Sequence, residues 1–232
     1  NKQKVDEFVR NNLFEAEELG QMKLFFETLY VYKIYKNEVI EALSKKIKSI
    51  KYFAKGNRGV VYTGVYKKKR VAIKTELSES EAFYRIQNEA KFLKLLNKKG
   101  IGQKLLLAEN SFIVSEFISG KPIKEFIESS NKKRIIKVLK EVFRQCLILD
   151  ELKINKEELH RPIKHILVGT KTVMIDFERC HFTQDPKNSR QFLQFLINHI
   201  PLFQSKGFNW TRDWLIDAAK KQPLQVDEIL SC

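Results

Sequence analysis

Three side chains in this sequence stand where chemistry demands a partner of opposite charge. Lys74 closes the run VAIK, and a lysine ending a buried strand needs a negative partner or a negative ligand. Glu89 falls inside an apolar helical arc formed by Ala82, Phe83, Ile86, Ala90, Leu93 and Leu96. A carboxylate there is costly unless paired, and Lys74 is the candidate partner; the alternative is an edge position reaching water. Asp176 directly follows the apolar run VMI, and with Glu178 it offers hard oxygen ligands suited to a magnesium ion. An aspartate there can also simply cap a turn. Gly56 and Gly59 precede the lysine, where backbone N–H groups can approach an anion because no Cβ intervenes.

The elements that must hold these groups are legible in outline. AKGNRGVVYTGVYKKKRVAIK, residues 54–74, reads as strand, glycine turn, strand, basic turn and strand. Ala72 and Lys74 share one face of the third strand, Val71 and Ile73 the other. Ser78 with Glu81 is a capping-box signature for the helix that carries Glu89, and Gly100 ends that helix. LLLAEN and SFIVSEFISG follow as two strands, KPIKEFIESS as a short helix and KRIIKVLKEVFRQCLILDEL as a long one. The long helix presents Ile135, Ile136, Leu139, Val142, Phe143, Cys146, Leu147 and Leu149 as apolar faces. ILV and VMI around GTKT form a tight hairpin ahead of Asp176. Residues 1–48 read as helical, with Lys45 to Lys51 as a solvated helix end. INHIPLF and NWTRDWLIDAAKK read as closing helices, with Trp210 and Trp214 packing.

Composition narrows the class. The chain has 232 residues, 43% hydrophobic and 31% charged, enough for a core in one or two domains. No apolar run approaches the ~20 residues of a membrane span. NKQKVDEFVRNN lacks the apolar region of a signal peptide. Cys146, Cys180 and Cys232 show neither paired nor metal-ligand spacing, which points to a reduced, cytoplasmic setting. The net charge of +15 favours acidic partners, a nucleotide or RNA among them.

The spacing of GNRGVVYTG and VAIK resembles the nucleotide-binding lobe of protein-kinase-like enzymes, whose glycine-rich loop GxGxxGxV precedes a VAIK strand. Aligned on Gly59 and Val61, the first family glycine becomes Ala54. The resemblance implies an α+β, two-lobed fold. It consists of a small antiparallel sheet with one long helix, residues 49–118, then a reduced helical lobe, residues 119–232, behind a helical extension, residues 1–48. It implies ATP held by Gly56, Asn57, Arg58, Gly59 and Val61 of the loop, Ala72 and Lys74 of the strand, Glu89 of the helix, and Glu116 and Ile118 of a hinge with Phe117 between them. Asp176 stands at the magnesium-binding aspartate of the family's DFG, here DFE.

The catalytic loop departs from the family pattern HRDLxxxN. One register sets His165 at the metal-binding asparagine and His160 at the catalytic aspartate. The other, by distance from Asp176, selects Glu158. Either side chain could orient or deprotonate a hydroxyl, with Arg161 and Lys164 adding positive charge. Imidazole suits a transition metal better than Mg²⁺, which weighs against His165 as its ligand. LHRPIKHILV, IDFERC and NSRQFLQFL, with the earlier motifs, also resemble a small archaeal family of predicted serine/threonine kinases over residues 50–200. The DFER segment is similar to Kdo-type sugar-lipid kinases. The short stretch after Asp176 has no APE segment, as in RIO-type kinases. The activity implied is ATP-dependent phosphoryl transfer to a serine or threonine hydroxyl. The rivals are a nucleotide-binding module without turnover, an RNA-associated component and a small-molecule kinase.

Overall fold

The computed structural model describes residues 45–55, 59–76, 84–109, 111–221 and 224–231. The chain divides into two compact units, Asn1–Lys48 and Ser49–Cys232. The helices expected before residue 45, the loop residues Gly56, Asn57 and Arg58, and the capping box Ser78 and Glu81 lie outside the described residues.

The second unit is α+β. Five strands form an antiparallel sheet in the order β1-β2-β3-β5-β4: β1 Lys48–Lys55, β2 Gly59–Tyr66, β3 Lys69–Glu76, β4 Leu105–Ala108 and β5 Phe112–Glu116. Lys48 to Lys51 therefore open a strand and are not the helix end expected from their charge. This strand lies at the sheet edge and is largely exposed. Its aromatic residues reach inward contacts: Tyr52 meets Tyr62 edge-on and Phe53 meets Phe117. Edge strands tolerate lysines because one side of the ladder stays in water. The turn between β2 and β3 holds Lys67 and Lys68 at φ 46° and 63°, the left-handed pair that a two-residue hairpin requires.

Helix α1, Arg85–Leu96, packs on this sheet through Ile86, Ala90, Leu93 and Leu96. It continues through one 3-10 turn to Gly100, whose φ of 69° supplies the left-handed stop. After β5 come β6 Lys121–Pro122, α2 Ile123–Glu128 and α3 Lys132–Glu151. Asn131 caps α3 by accepting from Arg134 N–H. Ile135, Leu139, Val142, Phe143, Cys146 and Leu149 of α3 are fully buried, whereas Leu147 is exposed. The segment continues as β7 Ile154–Asn155, a 3-10 turn Pro162–Lys164, β8 Ile166–Val168, β9 Thr172–Met174 and β10 His181–Phe182. β6, β8 and β9 pair as one small sheet, and β7 pairs with β10 as another.

The chain closes with α4 Asn188–Asn198, α5 Ile200–Gln204, α6 Arg212–Lys220 and α7 Val226–Ser231. Trp210 lies ahead of α6, so its four-residue offset from Trp214 does not make them helical neighbours. It is fully buried against Phe203 and Phe208 and donates its indole N–H to the Ile229 carbonyl. Among the described residues no helix is long and apolar enough to cross a membrane.

Candidate active site

The sheet sets Lys74 in a defined row. Its cross-strand neighbours are Val61 and Ile113, and the next row is Thr63, Ala72 and Ser115. Directly opposed residues share a face, so half-buried Val61 and Ala72 lie on the face that carries Lys74. Val71 and Ile73 fill the opposite face and are fully buried.

Lys74 Nζ meets three carboxylates: Glu89 Oε2 at 2.8 Å, Asp176 Oδ1 at 2.9 Å and Glu178 Oε2 at 2.8 Å. They come from a helix and from a segment 102 residues further along. Burial alone would lower the lysine pKa, but Glu89, Asp176 and Glu178 together hold it well above the ordinary value. Glu89 is 1% exposed, and its second oxygen accepts from Gln103 Nε2 at 3.2 Å and from the Phe177 N–H at 3.3 Å. Charge and hydrogen bonds thus compensate its burial, and it is not an edge residue reaching water.

Asp176 sits in the left-handed region at φ 66°. A non-glycine residue there is strained unless its surroundings impose the conformation. Here Lys156, 2% exposed, donates to the Asp176 carbonyl and stands 4.9 Å over the Phe177 ring. Burial would raise the Asp176 pKa, yet Lys74 and then Lys156 outweigh it, and the carboxyl titrates below its ordinary range. Its other oxygen faces His165 Nε2 at 3.6 Å, and His165 Nδ1 is 3.9 Å from Glu158 Oε2. Burial, reinforced by Lys156, lowers the His165 pKa, so the ring is neutral at pH ~7.

Glu158, also at positive φ, accepts from Arg179 Nη1 at 2.6 Å. Glu158, His165, Asp176, Glu178 and Arg179 line a small cavity of about 50 Å³. His160, Lys164 and Arg161 are exposed and do not line it. Glu158, from one sequence register, and His165, from the other, both line the cavity with Asp176, whereas His160 does not. The loop is held there by α4: Asn188 Oδ1 accepts from Lys156 N–H at 2.7 Å, and Gln191 Oε1 accepts from Leu159 N–H at 3.1 Å.

Glu116 and Ile118 lie at the end of β5 and just beyond it, on the passage to the helical part. Phe117 between them is covered by Arg70, whose guanidinium lies 3.8 Å over the ring. Lys156 and Arg179 were not among the candidates drawn from the sequence. The one available signal for Lys156 was a lysine set between Ile154 and Leu159, both buried in the fold.

One oxygen from each of Glu89, Asp176 and Glu178 falls within 4.8 Å of the others. Such a set of hard oxygens, with one Asp176 oxygen not taken by Lys74, fits a magnesium ion.

No family model matches the chain. The chain is similar to an uncharacterized protein of Methanocaldococcus jannaschii, 30% identical over 73 residues. That match covers 32% of this chain and 63% of the relative's own length.

Proposed function

We propose that the chain is an atypical protein-kinase-like enzyme that transfers the γ-phosphoryl group of ATP to a serine or threonine hydroxyl. On this reading the five-stranded sheet with α1 is the nucleotide lobe and the segment from β6 onward is a reduced helical lobe. The observation that carries it is the meeting of Lys74 with Glu89 and Asp176 within 2.9 Å, from three separate elements. In phosphoryl transfer the protein chiefly positions groups and neutralises charge. Lys74, oriented by Glu89, would hold the phosphates, and Val61 and Ala72 would offer apolar contact to the base. Asp176, with Glu178, would hold magnesium, which draws charge from the phosphate oxygens. Glu158 would orient the acceptor hydroxyl and take its proton as the new phosphorus–oxygen bond forms and the bond to the ADP oxygen breaks.

Labelled ATP offered to wild type, Lys74→Ala and Asp176→Ala tests the reading. Both variants should lose about two orders of magnitude or more in transfer. Equal transfer by all three would remove the assignment. A second reading, nucleotide binding without turnover, is favoured by the engagement of Glu158 by Arg179 at 2.6 Å. It predicts thermal stabilisation by ATP with no phosphorylated product, from protein or small-molecule acceptors alike.

A further inference from the structure

β4 is the edge strand opposite β1 in the five-stranded sheet, and along it runs an open groove of about 1570 Å³. Its walls come from the end of α1, one face of α3 and the β8–β9 turn. Val61, Ala72, Lys74, Asp176 and Glu158 do not line it, so it is separate from the carboxylate–lysine cluster.

Three properties of this groove coincide. Its floor includes Leu105, Leu106 and Leu107, all half-buried, which is unusual for three consecutive leucines beside open solvent. At the start of β4 the edge is capped by Asn97, whose Oδ1 accepts from Leu105 N–H at 2.8 Å. An edge strand beyond such a cap presents backbone groups to an incoming chain. Lys94, Lys104, Lys137 and Lys171 reach the rim from four different segments, all exposed. No ion pair among the described residues engages these four. By contrast, Lys140 is held by Asp227 at 2.7 Å and Arg144 by Glu141 at 2.7 Å. Glu116 and Glu141 are the acidic side chains of the lining, and Glu141 is already neutralised.

We infer that this groove binds an extended acidic segment of a partner protein, in which apolar and acidic side chains alternate. Such a segment adds along β4 through its backbone, sets its apolar side chains on Leu105 to Leu107 and directs its carboxylates to the rim lysines. A nucleic-acid backbone would use the cations but would leave the leucine floor without an apolar partner. A basic peptide would meet four like charges. The inference does not rest on the phosphotransfer reading: its leucines and rim lysines lie outside the Lys74–Asp176 cluster, although Glu116 and Ile118, which the kinase resemblance sets at the hinge, also line the groove.

The experiment uses the full chain and a fluorescent synthetic peptide alternating Glu and Leu, read by anisotropy. A Lys–Leu peptide and an oligouridylate serve as comparisons. The Glu–Leu peptide should bind, and the other two should bind at least about tenfold more weakly. The double variant Lys104→Glu, Lys137→Glu should weaken the Glu–Leu peptide about tenfold or more. Leu106→Ser, which leaves the charge intact, should weaken it about threefold. Thermal melting of each variant, with ATP binding measured alongside, checks that the fold persists. Absence of peptide binding to wild type, or equal binding by wild type and both variants, would overturn the inference. So would tighter binding of the oligouridylate that is lost in the double variant, which would make the groove a nucleic-acid site.

Discussion

Arg179 donates to Glu158 at 2.6 Å, joining the residue three places beyond Asp176 to the loop that precedes β8. Both side chains are partly exposed, so this contact acts more by orientation than by stability. It fixes which side chain of the loop faces the cavity. Glu158→Gln should therefore reduce phosphoryl transfer about a hundredfold at unchanged ATP affinity, while His160→Ala stays within about twofold of wild type. Steady-state kinetics of the two variants decide it. The opposite ranking would restore the register that places His160 at the reacting hydroxyl.

Lys74 compensates a glutamate that is 1% exposed. Lys74→Ala should cost about 3 kcal/mol in urea denaturation, because it strands that charge. Adding Glu89→Gln should return part of the loss, since a neutral amide needs no counter-ion there. If the double variant is no more stable than Lys74→Ala, the pair is not what compensates the buried carboxylate.

Asp176 titrates below its ordinary value: burial opposes this, and Lys74 and Lys156 more than offset it. The folded state thus binds this proton less readily than the unfolded chain. Its stabilising contribution is complete above the unfolded pKa near ~4 and fades as pH falls through the lower folded value. The stability gap between wild type and Asp176→Asn should be constant from about pH 6 to 8 and narrow below about pH 4. Urea midpoints across that range measure it; a gap that widens in acid would contradict the sign.

Gly169 lies against the backbone between β5 and β6. A Cβ built on it falls 2.2 Å from the Ser119 carbonyl oxygen, and one on Gly120 falls 2.8 Å from the Val168 carbonyl carbon. Neither backbone can yield as a flexible side chain would. Gly169→Ala should destabilise the protein by about 1–3 kcal/mol in denaturant titration. A neutral result would mean that the β6–β8 pairing is looser than this approach implies.

Cys146 and Cys180 are buried, and burial pushes both thiols up, Cys180 to about 12. Thiolate is the reactive form. Neither residue should be labelled by iodoacetamide in native protein at about pH 7, and both should be labelled once it is unfolded. Peptide mass spectrometry reads each site separately. Rapid native labelling of Cys180 would show that the segment after Asp176 opens.

By itself the sequence determined the local elements and the chemical character of their ends. The β-branched run before Lys74, the apolar arc around Glu89 and the hairpin before Asp176 are short-range patterns. Each follows from side-chain periodicity and turn propensity within about ten residues. Burial supplied the further demand that Glu89 find a cation. The same rules misread Lys48 to Lys51, because a charged, exposed edge strand lacks the alternation that marks a half-buried one.

Tertiary structure decided everything that depends on separation in the chain. Lys74 reaches Asp176 and Glu178 across 102 and 104 residues, and Lys156 reaches the Asp176 carbonyl across 20. No periodicity encodes such meetings, since packing of α1 and α4 against the sheets and hairpins sets them. That Glu158 lines the cavity while His160 lies exposed has the same origin. Two residues of register are invisible to composition, but Asn188 and Gln191 bind the loop backbone from α4 and turn one side chain toward the cavity and the other toward solvent.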